Sequence, residues 1–422
     1  MEKHYKTKSG LDIYSYELEK LNRFCISLNI KAGLLYEDEN ETGITHYLEH
    51  VLFRRMGKYT INQLNAKLDK YGLYFNGTTY RKFLRFELTG CIDYFEKGVD
   101  IFLNLFEPFT VTQEEADKEL KRISREICED GFKSTTEYQC TKIVWEGTPL
   151  ARSVLGEEWR LKRIRINKLR EKKEKLFSKE NIFIYVTGAI GGKLDYLHKK
   201  AGDVIIGQSD VRQNIAPVPR DFARRDIKTI IHSSDSNHIG VSFDIDFSRI
   251  NKKDIELLSI VLFSLSNNRV IKDLSDEQGL IYDYNDFLEY YDNIGRLYFK
   301  IETEENMMFE SLAAIMKMFR DIKSGISDLE FDSAVVWAIA DIDLNLDNAE
   351  NVNMDYSWDS HLLGYGFKTA EEKRQQCRSI KKADVEAAAR EIFTPKNLCI
   401  AFLSTVRLDK TKIRQVVLEN LM

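Results

Sequence analysis

The stretch Leu176–Ile184 reads Leu-Phe-Ser-Lys-Glu-Asn-Ile-Phe-Ile, and Ile392–Ile400 reads Ile-Phe-Thr-Pro-Lys-Asn-Leu-Cys-Ile. Both consist of an apolar pair, a polar turn that ends in Asn, and a short apolar run of the kind that forms strands. Four further pairs recur in the same order along the chain: Phe24–Ile30 with Ile239–Phe247, Val51–Phe53 with Val261–Phe263, Lys70–Phe75 with Glu277–Tyr282, and Leu84–Leu88 with Leu297–Ile301. Five collinear pairs predict a duplicated domain.

Each copy mixes strand patterns with helical ones. Phe24–Ile30 has an apolar residue at every second position, which predicts a half-buried strand. Asp93–Phe106 and Asn306–Ile322 are helical stretches at equivalent places in the two copies. The prediction is an α+β fold of two homologous domains, 1–212 and 226–422, each an antiparallel sheet with packed helices.

A linker of about 207–225 is predicted between the two domains. Gly207–Arg225 contains Pro217 and Pro219, two of only 5 prolines in the chain, together with Gln, Ser and Asp. Such a composition favours an extended connection over a further packed element.

Composition excludes several classes of protein. The chain has 422 residues, of which 43% are hydrophobic and 31% charged, so it is neither disordered nor of low complexity. No apolar run approaches the roughly 18 residues of a membrane span, and the first residues lack the apolar stretch of a signal peptide. With 62 basic and 67 acidic residues, the chain has no overall basic character for binding nucleic acid. Six scattered cysteines without a C-x-x-C pair predict reduced thiols and a cytoplasmic location.

A metal-binding pattern occurs in the first copy. Gly43–Phe53 contains the spacing H-x-x-E-H at His46, Glu49 and His50. On a helix these three side chains share one face, because positions i, i+3 and i+4 are neighbours. Two imidazoles one turn apart can hold a zinc ion, and the carboxylate between them can serve as a general base. The alternative is a helix whose histidines merely pack or face water.

A second helix carries acidic residues that can complete such a site. Thr112 followed by Glu115 is a capping-box start. Beyond it, Glu119 and Glu126 are two helical turns apart and therefore lie on one face. A catalytic zinc site needs a third protein ligand, although two glutamates on a charged helix are more often only solvated.

With the duplication, the H-x-x-E-H motif and this acidic helix, the chain resembles the M16 (pitrilysin-like) zinc peptidases over nearly its whole length. The likeness includes three glycine-bearing segments: Gly43 before the motif, Gly72–Thr78, and Gly279–Tyr282. In that family two such chains, or two halves of a long one, close like a clamshell around a chamber. The resemblance therefore implies a clamshell-forming fold and cleavage of peptides inside a chamber.

The resemblance also implies a role for each residue of the site. One zinc ion per chain is expected, with Glu49 as the general base that takes a proton from water and passes it to the leaving amine. Glu119 is expected to orient and tune the site from outside the ligand shell. The expected ligands are His46, His50 and Glu126. Manganese or cobalt fits the same nitrogen and oxygen donors.

The second copy departs from the family pattern. Glu256, Ser259 and Ile260 align with the three motif residues, so no second zinc site is expected. Active members of the family usually carry an Arg seven residues before the Tyr of the Gly-Leu-x-Tyr segment, and here that position is Ser275. Since the Arg and Tyr of one half serve the zinc site of the other, the prediction is a heterodimer with a sister subunit that supplies them. Drift at Ser275, or a misplaced gap, is the alternative.

Three functions remain open at this stage. The first is a zinc endopeptidase, the catalytic subunit of a heterodimer of small bacterial type, which trims leader peptides from ribosomally made, modified peptides or processes peptides more generally. The second is a non-catalytic scaffold subunit, against which the intact motif argues. The third is a metal-dependent amidase that acts on something other than peptides.

Overall fold

The computed structural model describes residues 1–129, 135–207, 227–276, 278–281, 283–291 and 293–422. Beyond Gly207, the predicted linker lies outside the described residues. The strands are β1 (Lys3–Lys6), β2 (Asp12–Glu17), β3 (Arg23–Ile30), β4 (Arg55–Met56), β5 (Tyr59–Thr60), β6 (Tyr74–Thr79), β7 (Leu84–Cys91), β8 (Ile182–Gly188), β9 (Lys228–Ser233), β10 (His238–Asp246), β11 (Tyr284–Tyr291), β12 (Ile294–Glu302) and β13 (Leu398–Ser404).

The α-helices connect these strands and cover the sheets. They are α1 (Ile44–Arg54), α2 (Ile61–Tyr71), α3 (Phe95–Phe102), α4 (Gln113–Glu129), α5 (Thr136–Val144), α6 (Glu158–Leu161), α7 (Ile166–Leu176), α8 (Leu194–Gly202), α9 (Lys252–Ser259), α10 (Met308–Ser324), α11 (Asp328–Asn345), α12 (Ala349–Asp355), α13 (Ala370–Ser379), α14 (Lys382–Ile392) and α15 (Lys410–Leu421). Ile260–Ser264, Ile271–Asp276 and Tyr356–Leu362 are π-helical.

The two sheets have the same strand order. One runs β6-β7-β3-β8-β2-β1, and the other runs β11-β12-β10-β13-β9. In both, the neighbours are antiparallel except for one parallel pair, β2 with β8 and β9 with β13. Equivalent strands therefore occupy equivalent places, and the predicted α+β fold with two homologous, sheet-containing domains is confirmed.

The first compact unit contains the first sheet and the H-x-x-E-H helix. It comprises the described residues of Met1–Glu129, Arg152–Pro217 and Asp343–Thr369. Its apolar core lies between one face of the sheet and helices that include α1, α3 and α7, with Phe24, Leu28 and Phe86 fully buried. Burial of these side chains is the main favourable contribution to the stability of the unit.

The other face of this sheet is covered by α12. The Asn353 amide on α12 donates to the backbone carbonyls of Cys25 (3.1 Å) and Tyr185 (3.0 Å) and accepts from Arg85 (2.9 Å) and Ser27 (2.6 Å). The prediction of a half-buried strand at Phe24–Ile30 is therefore wrong, because β3 is buried on both faces. Its polar residues alternate as a solvated face would, but Ser27 donates to Asn353 of α12 and Asn29 donates to Ser27.

The second compact unit repeats this arrangement with a different covering helix. It comprises the described residues of Asp130–Ala151, Val218–Ile342 and Ala370–Met422. Here α5 lies on β10 and β13, with a hydrogen bond of 2.8 Å between the hydroxyls of Thr136 and Tyr298. A Cβ on Gly240 would lie 2.5 Å from Cβ of Thr136, so glycine permits this close contact.

Each compact unit thus includes a helix from the other half of the sequence. The predicted domains, 1–212 and 226–422, delimit the duplicated sequence copies and stay a prediction. Within the described residues, 135–151 belong to the second unit and 343–369 to the first. The apolar pattern of a helix does not specify which sheet it covers, and a duplicated fold offers two similar ones.

Candidate metal centre

The helix with the H-x-x-E-H motif is fixed at its N-terminus by a buried carboxylate. Glu37 accepts hydrogen bonds from the backbone N–H groups of Gly43 (2.8 Å) and Thr45 (2.9 Å). These N–H groups have no partner inside the helix, and a negative charge there also interacts favourably with the helix dipole. Burial raises the pKa of Glu37, while the hydrogen bonds from Thr45 and Gly43 oppose that rise.

Gly43 begins α1 in a conformation that favours glycine. Its φ is 90°, in the left-handed region. A Cβ at Gly43 would lie 2.6 Å from the Cα of Gly156, closer than two atoms can approach without displacing backbone. The glycine before the motif therefore sets where α1 starts, and with it the direction in which the motif side chains point.

Helix α1 is buried on nearly every side. Tyr47, Leu48, Val51 and Leu52 lie in the core. His46 and Glu49 are also buried, with 6% and 8% exposure, and His50 is half-buried. Imidazoles and a carboxylate removed from water need partners, because burial of an unpaired polar group is unfavourable.

Three side chains converge at one point between α1 and α4. Nε2 of His46 lies 3.2 Å from Nε2 of His50. The Glu126 carboxylate lies 3.8 Å from His46 and 3.4 Å from His50. One donor atom from each residue falls within 4.8 Å of the other two, and this is the one such group of three in the part of the chain that the structure describes.

The donor set fits zinc. Two imidazole nitrogens and a carboxylate oxygen are ligands that zinc prefers in catalytic sites, where three protein ligands leave a fourth position open. Nδ1 of His46 is buried without a hydrogen-bond partner in the described structure. Burial and the neighbouring His50 lower the pKa of His46 to about 3, so its ring is neutral at physiological pH, as a metal ligand must be.

Glu119 lies beside this group without belonging to it. Its carboxylate is 3.7 Å from Nδ1 of His50 and 3.6 Å from the Arg54 guanidinium, and it is buried. A carboxylate that accepts a hydrogen bond from the nitrogen of a ligating histidine that does not bind the metal orients the ring and increases its basicity. The placement agrees with the predicted orienting role, which stays a prediction.

Glu49 contacts the first sheet. Its Oε2 accepts a hydrogen bond of 2.6 Å from the Thr79 hydroxyl at the end of β6. Burial raises the pKa of Glu49, the Thr79 hydrogen bond and the His50 charge oppose the rise, and the Glu126 charge adds to it. A carboxylate with a raised pKa is a better proton acceptor near neutral pH than an ordinary one.

Three residues that contact the site, Glu37, Arg54 and Thr79, are not predicted by the sequence patterns. Glu37 and Arg54 flank the motif, but nothing in their spacing indicates that they reach a helix terminus and a neighbouring helix. Thr79 comes 30 residues after Glu49 on another element. Strand alternation can place Thr79 on a face of the sheet, whereas its contact with Glu49 depends on how α1 packs against that face.

Among its described residues, the second copy has no group of three such ligands. Glu256 forms ion pairs with Lys252 and Lys253, and Ile260 is buried. Asp286 on β11 lies opposite Phe299 on β12, and Gly77 on β6 lies opposite Phe86 on β7. Asp286 therefore occupies the position in the second sheet that Gly77 occupies in the first. Burial raises the pKa of Asp286 to about 6.

Arg269, six residues before Ser275, is an arginine near the position where the family carries its Arg. It forms an ion pair with Glu330, the capping residue at the start of α11, at 2.5 Å. Arg55 pairs with Glu115, the predicted capping residue of α4, at 2.8 Å in the first copy. Both arginines thus pair with a capping glutamate at the start of a helix. Ser275 lies in a π-helical turn, and Tyr282 lies outside the described residues.

Three further features of the chain do not belong to this centre. A cavity of 510 Å³ is lined by Lys6, Lys8, Lys31, Lys179 and nine further residues, none of which is a candidate ligand. All six cysteines are free, four of them buried. None of the helices in the described segments has the length and apolar character that crossing a bilayer requires.

Comparison with known proteins shows which family the chain resembles. Residues 18–158 match the family model described as Insulinase (Peptidase family M16). Over 410 residues the chain is 20% identical to the uncharacterized zinc protease YmxG of Bacillus subtilis (strain 168), covering 96% of this chain and 98% of the relative. These matches confirm the resemblance to M16 zinc peptidases, and they support a peptidase with zinc as the family metal.

Solved structures share the fold. A protease from Helicobacter pylori superimposes with a TM-score of 0.82 at 16% identity, covering 96% of this chain and 99% of that one. The periplasmic protease PqqL from Escherichia coli matches with a TM-score of 0.80 at 16% identity, covering 100% of this chain but 50% of that one. The fold of this chain therefore also occurs as half of a longer polypeptide.

Proposed function

We propose that this protein is a zinc-dependent endopeptidase in which His46, His50 and Glu126 hold the metal and Glu49 is the general base. The observation that carries the proposal is the convergence of three ligand atoms within 4.8 Å next to a buried carboxylate. A scaffold would gain nothing from keeping two buried imidazoles and a carboxylate in this arrangement, because their desolvation is unfavourable without a ligand.

The chemistry follows from where each group lies. A bound zinc ion would supply a Lewis acid for the scissile carbonyl and lower the pKa of a coordinated water. Glu49 takes the proton of the attacking water and delivers it to the leaving amine. Glu119 holds the His50 ring in its ligating orientation, and the buried face of α1 keeps bulk water from the ligands.

We propose further that a partner half completes the site. Arg269 is paired with Glu330, so it is not available as the substrate-binding Arg expected near Tyr282. A sister subunit of the same fold, with its own Arg and Tyr, would then close over the zinc site in a clamshell. PqqL, in which a fold like this one accounts for half of the chain, supports an arrangement of two halves.

The proposed substrates are peptides short or unfolded enough to enter a closed chamber. Within that class we favour leader peptides of ribosomally made, modified peptides in the cytoplasm. The free cysteines are compatible with a reducing compartment. The alternative function is a non-catalytic subunit that only assembles with an active partner, and the intact H-x-x-E-H motif argues against it.

The test is to purify the chain, measure its metal content and assay a quenched peptide library with wild type and Glu49→Gln. Glu114→Gln is the control, because Glu114 is an exposed carboxylate on α4. We expect one zinc per chain and cleavage that Glu49→Gln abolishes and Glu114→Gln retains. Zinc without cleavage would require the partner half, to be sought by affinity purification. An absence of zinc would contradict the metallopeptidase proposal.

A further inference from the structure

We propose that Thr79 is a positioning residue that sets the orientation of the Glu49 carboxylate, so that the first sheet, as well as the zinc helix, determines the geometry of the general base. The inference rests on the proposed function in one respect, the role of Glu49 as base. It adds a residue from outside the motif and the acidic helix, on a different element of the fold.

The contact between Thr79 and Glu49 is short and partly buried. The hydroxyl donates to Oε2 of Glu49 at 2.6 Å, within the range of a hydrogen bond to a charged acceptor. Glu49 is 8% exposed, so few waters can compete for that oxygen. The bond therefore stabilises one orientation of the carboxylate over the others open to it.

The plane of a glutamate carboxylate needs such a partner to be fixed. Its terminal torsion is broad, so packing along the chain does not by itself fix the plane of the carboxylate. Threonine is a stiff donor, because its branched Cβ restricts χ1. Thr79 is also held by the pairing of β6 with β7, where it lies opposite Leu84.

The same strand also confines the Glu49 methylene groups. A Cβ on Gly77 would lie 2.9 Å from Cγ of Glu49 and 2.6 Å from a ring carbon of Phe53. Strand β6 thus leaves space for the Glu49 side chain at Gly77 and holds its carboxylate at Thr79. In the second copy Ser259 aligns with Glu49, and Leu288 lies opposite Leu297 as Thr79 lies opposite Leu84, so both partners of the hydrogen bond are replaced there.

The first experiment is crystallographic and does not depend on activity. Thr79→Val keeps the shape of the side chain and removes the hydroxyl, whereas Thr79→Ser keeps the hydroxyl. In the zinc-soaked proteins we expect the Glu49 carboxylate to rotate away in Thr79→Val and to keep its short contact in Thr79→Ser. An unchanged carboxylate in Thr79→Val would overturn the proposal.

The second experiment measures catalysis and stability on the same variants. Thr79→Val should lower kcat by about 10–100-fold, with KM, zinc content and Tm unchanged, and Thr79→Ser should recover most of the loss. Thr89→Val is the matched control, because Thr89 is a buried threonine of the adjacent strand β7.

The outcomes distinguish a failure of the positioning role of Thr79 from a failure of the proposed peptidase function. Full kcat in Thr79→Val, with Glu49→Gln inactive, would refute the positioning role and leave the peptidase intact. If neither wild type nor Glu49→Gln cleaves peptides, the proposed function fails, and the orientation of the carboxylate in the two crystal structures still decides whether Thr79 positions it.

Discussion

At the scale of single residues, a prediction concerns Glu119, which lies next to the three candidate ligands without being one of them. Its carboxylate is close to both the His50 ring and the Arg54 guanidinium. Glu119→Gln keeps the size of the side chain but removes the charge that makes His50 a stronger ligand. We expect zinc affinity or peptidase activity to fall by about 10–100-fold, measured by competition with a chromogenic chelator and by kcat/KM.

Glu114→Gln is again the control for that measurement, since its carboxylate is on the same helix but faces solvent. An equal loss of affinity in both variants would mean that α4 responds to any lost charge. In that case Glu119 would have no specific part in orienting His50.

At the scale of elements, the start of α1 depends on Gly43. Gly43→Ala would place a Cβ 2.6 Å from the Cα of Gly156 at a φ of 90°. We expect it to lower the free energy of unfolding by about 3 kcal/mol and to weaken zinc binding, because α1 must shift. Urea denaturation and metal content would measure the two effects.

Gly72 provides the matched control for this prediction. It ends α2 at a φ of 58°, and its Cβ position has no neighbour within 4 Å. Gly72→Ala should therefore cost only the conformational penalty of about 1 kcal/mol. If Gly43→Ala cost no more than Gly72→Ala, the close approach to Gly156 would not be what positions the helix.

At the scale of the whole molecule, metal binding should be linked to folding. The ligands come from two helices, α1 and α4, that meet only in the folded unit, so zinc binds the native state in preference to the unfolded one. At free zinc about 100-fold above Kd the stabilisation is about 2.7 kcal/mol. We expect zinc to raise Tm and EDTA to reverse the rise.

The zinc-dependent rise in Tm should disappear in Glu126→Gln. Glu114→Gln should keep it, since that carboxylate lies outside the ligand group. A rise of equal size in wild type and Glu126→Gln would place the bound zinc elsewhere and would contradict the proposed ligand set.

Much of this architecture could be predicted from local patterns. The duplication, the capping box at Thr112 and the shared face of His46, Glu49 and His50 follow from residue spacing along one element, and the structure has all of them. The proximity of Glu126 to the histidines came from a family resemblance instead. The roles of these residues remain predictions.

Contacts between elements escaped prediction because spacing does not encode them. The Thr79 bond to Glu49 depends on the packing of α1 against β6, and the pairing of Arg269 with Glu330 depends on the approach of two segments. The covering of β3 by α12 explains why the prediction of a half-buried strand is wrong. A strand with alternating polar residues predicts a solvated face, but Ser27 and Asn353 form a buried hydrogen bond there.

The use of α12 to cover the first sheet has a consequence for synthesis on the ribosome. All candidate ligands have been made once residue 126 is in place, but Asn353, which binds Arg85 and the carbonyls of β3 and β8, is added much later. Until then the nascent first sheet carries the buried Arg85 without this partner. A growing chain, or a fragment that stops at the linker, therefore exposes the sheet face that α12 covers in the folded protein. Chaperones and other chains can bind that face.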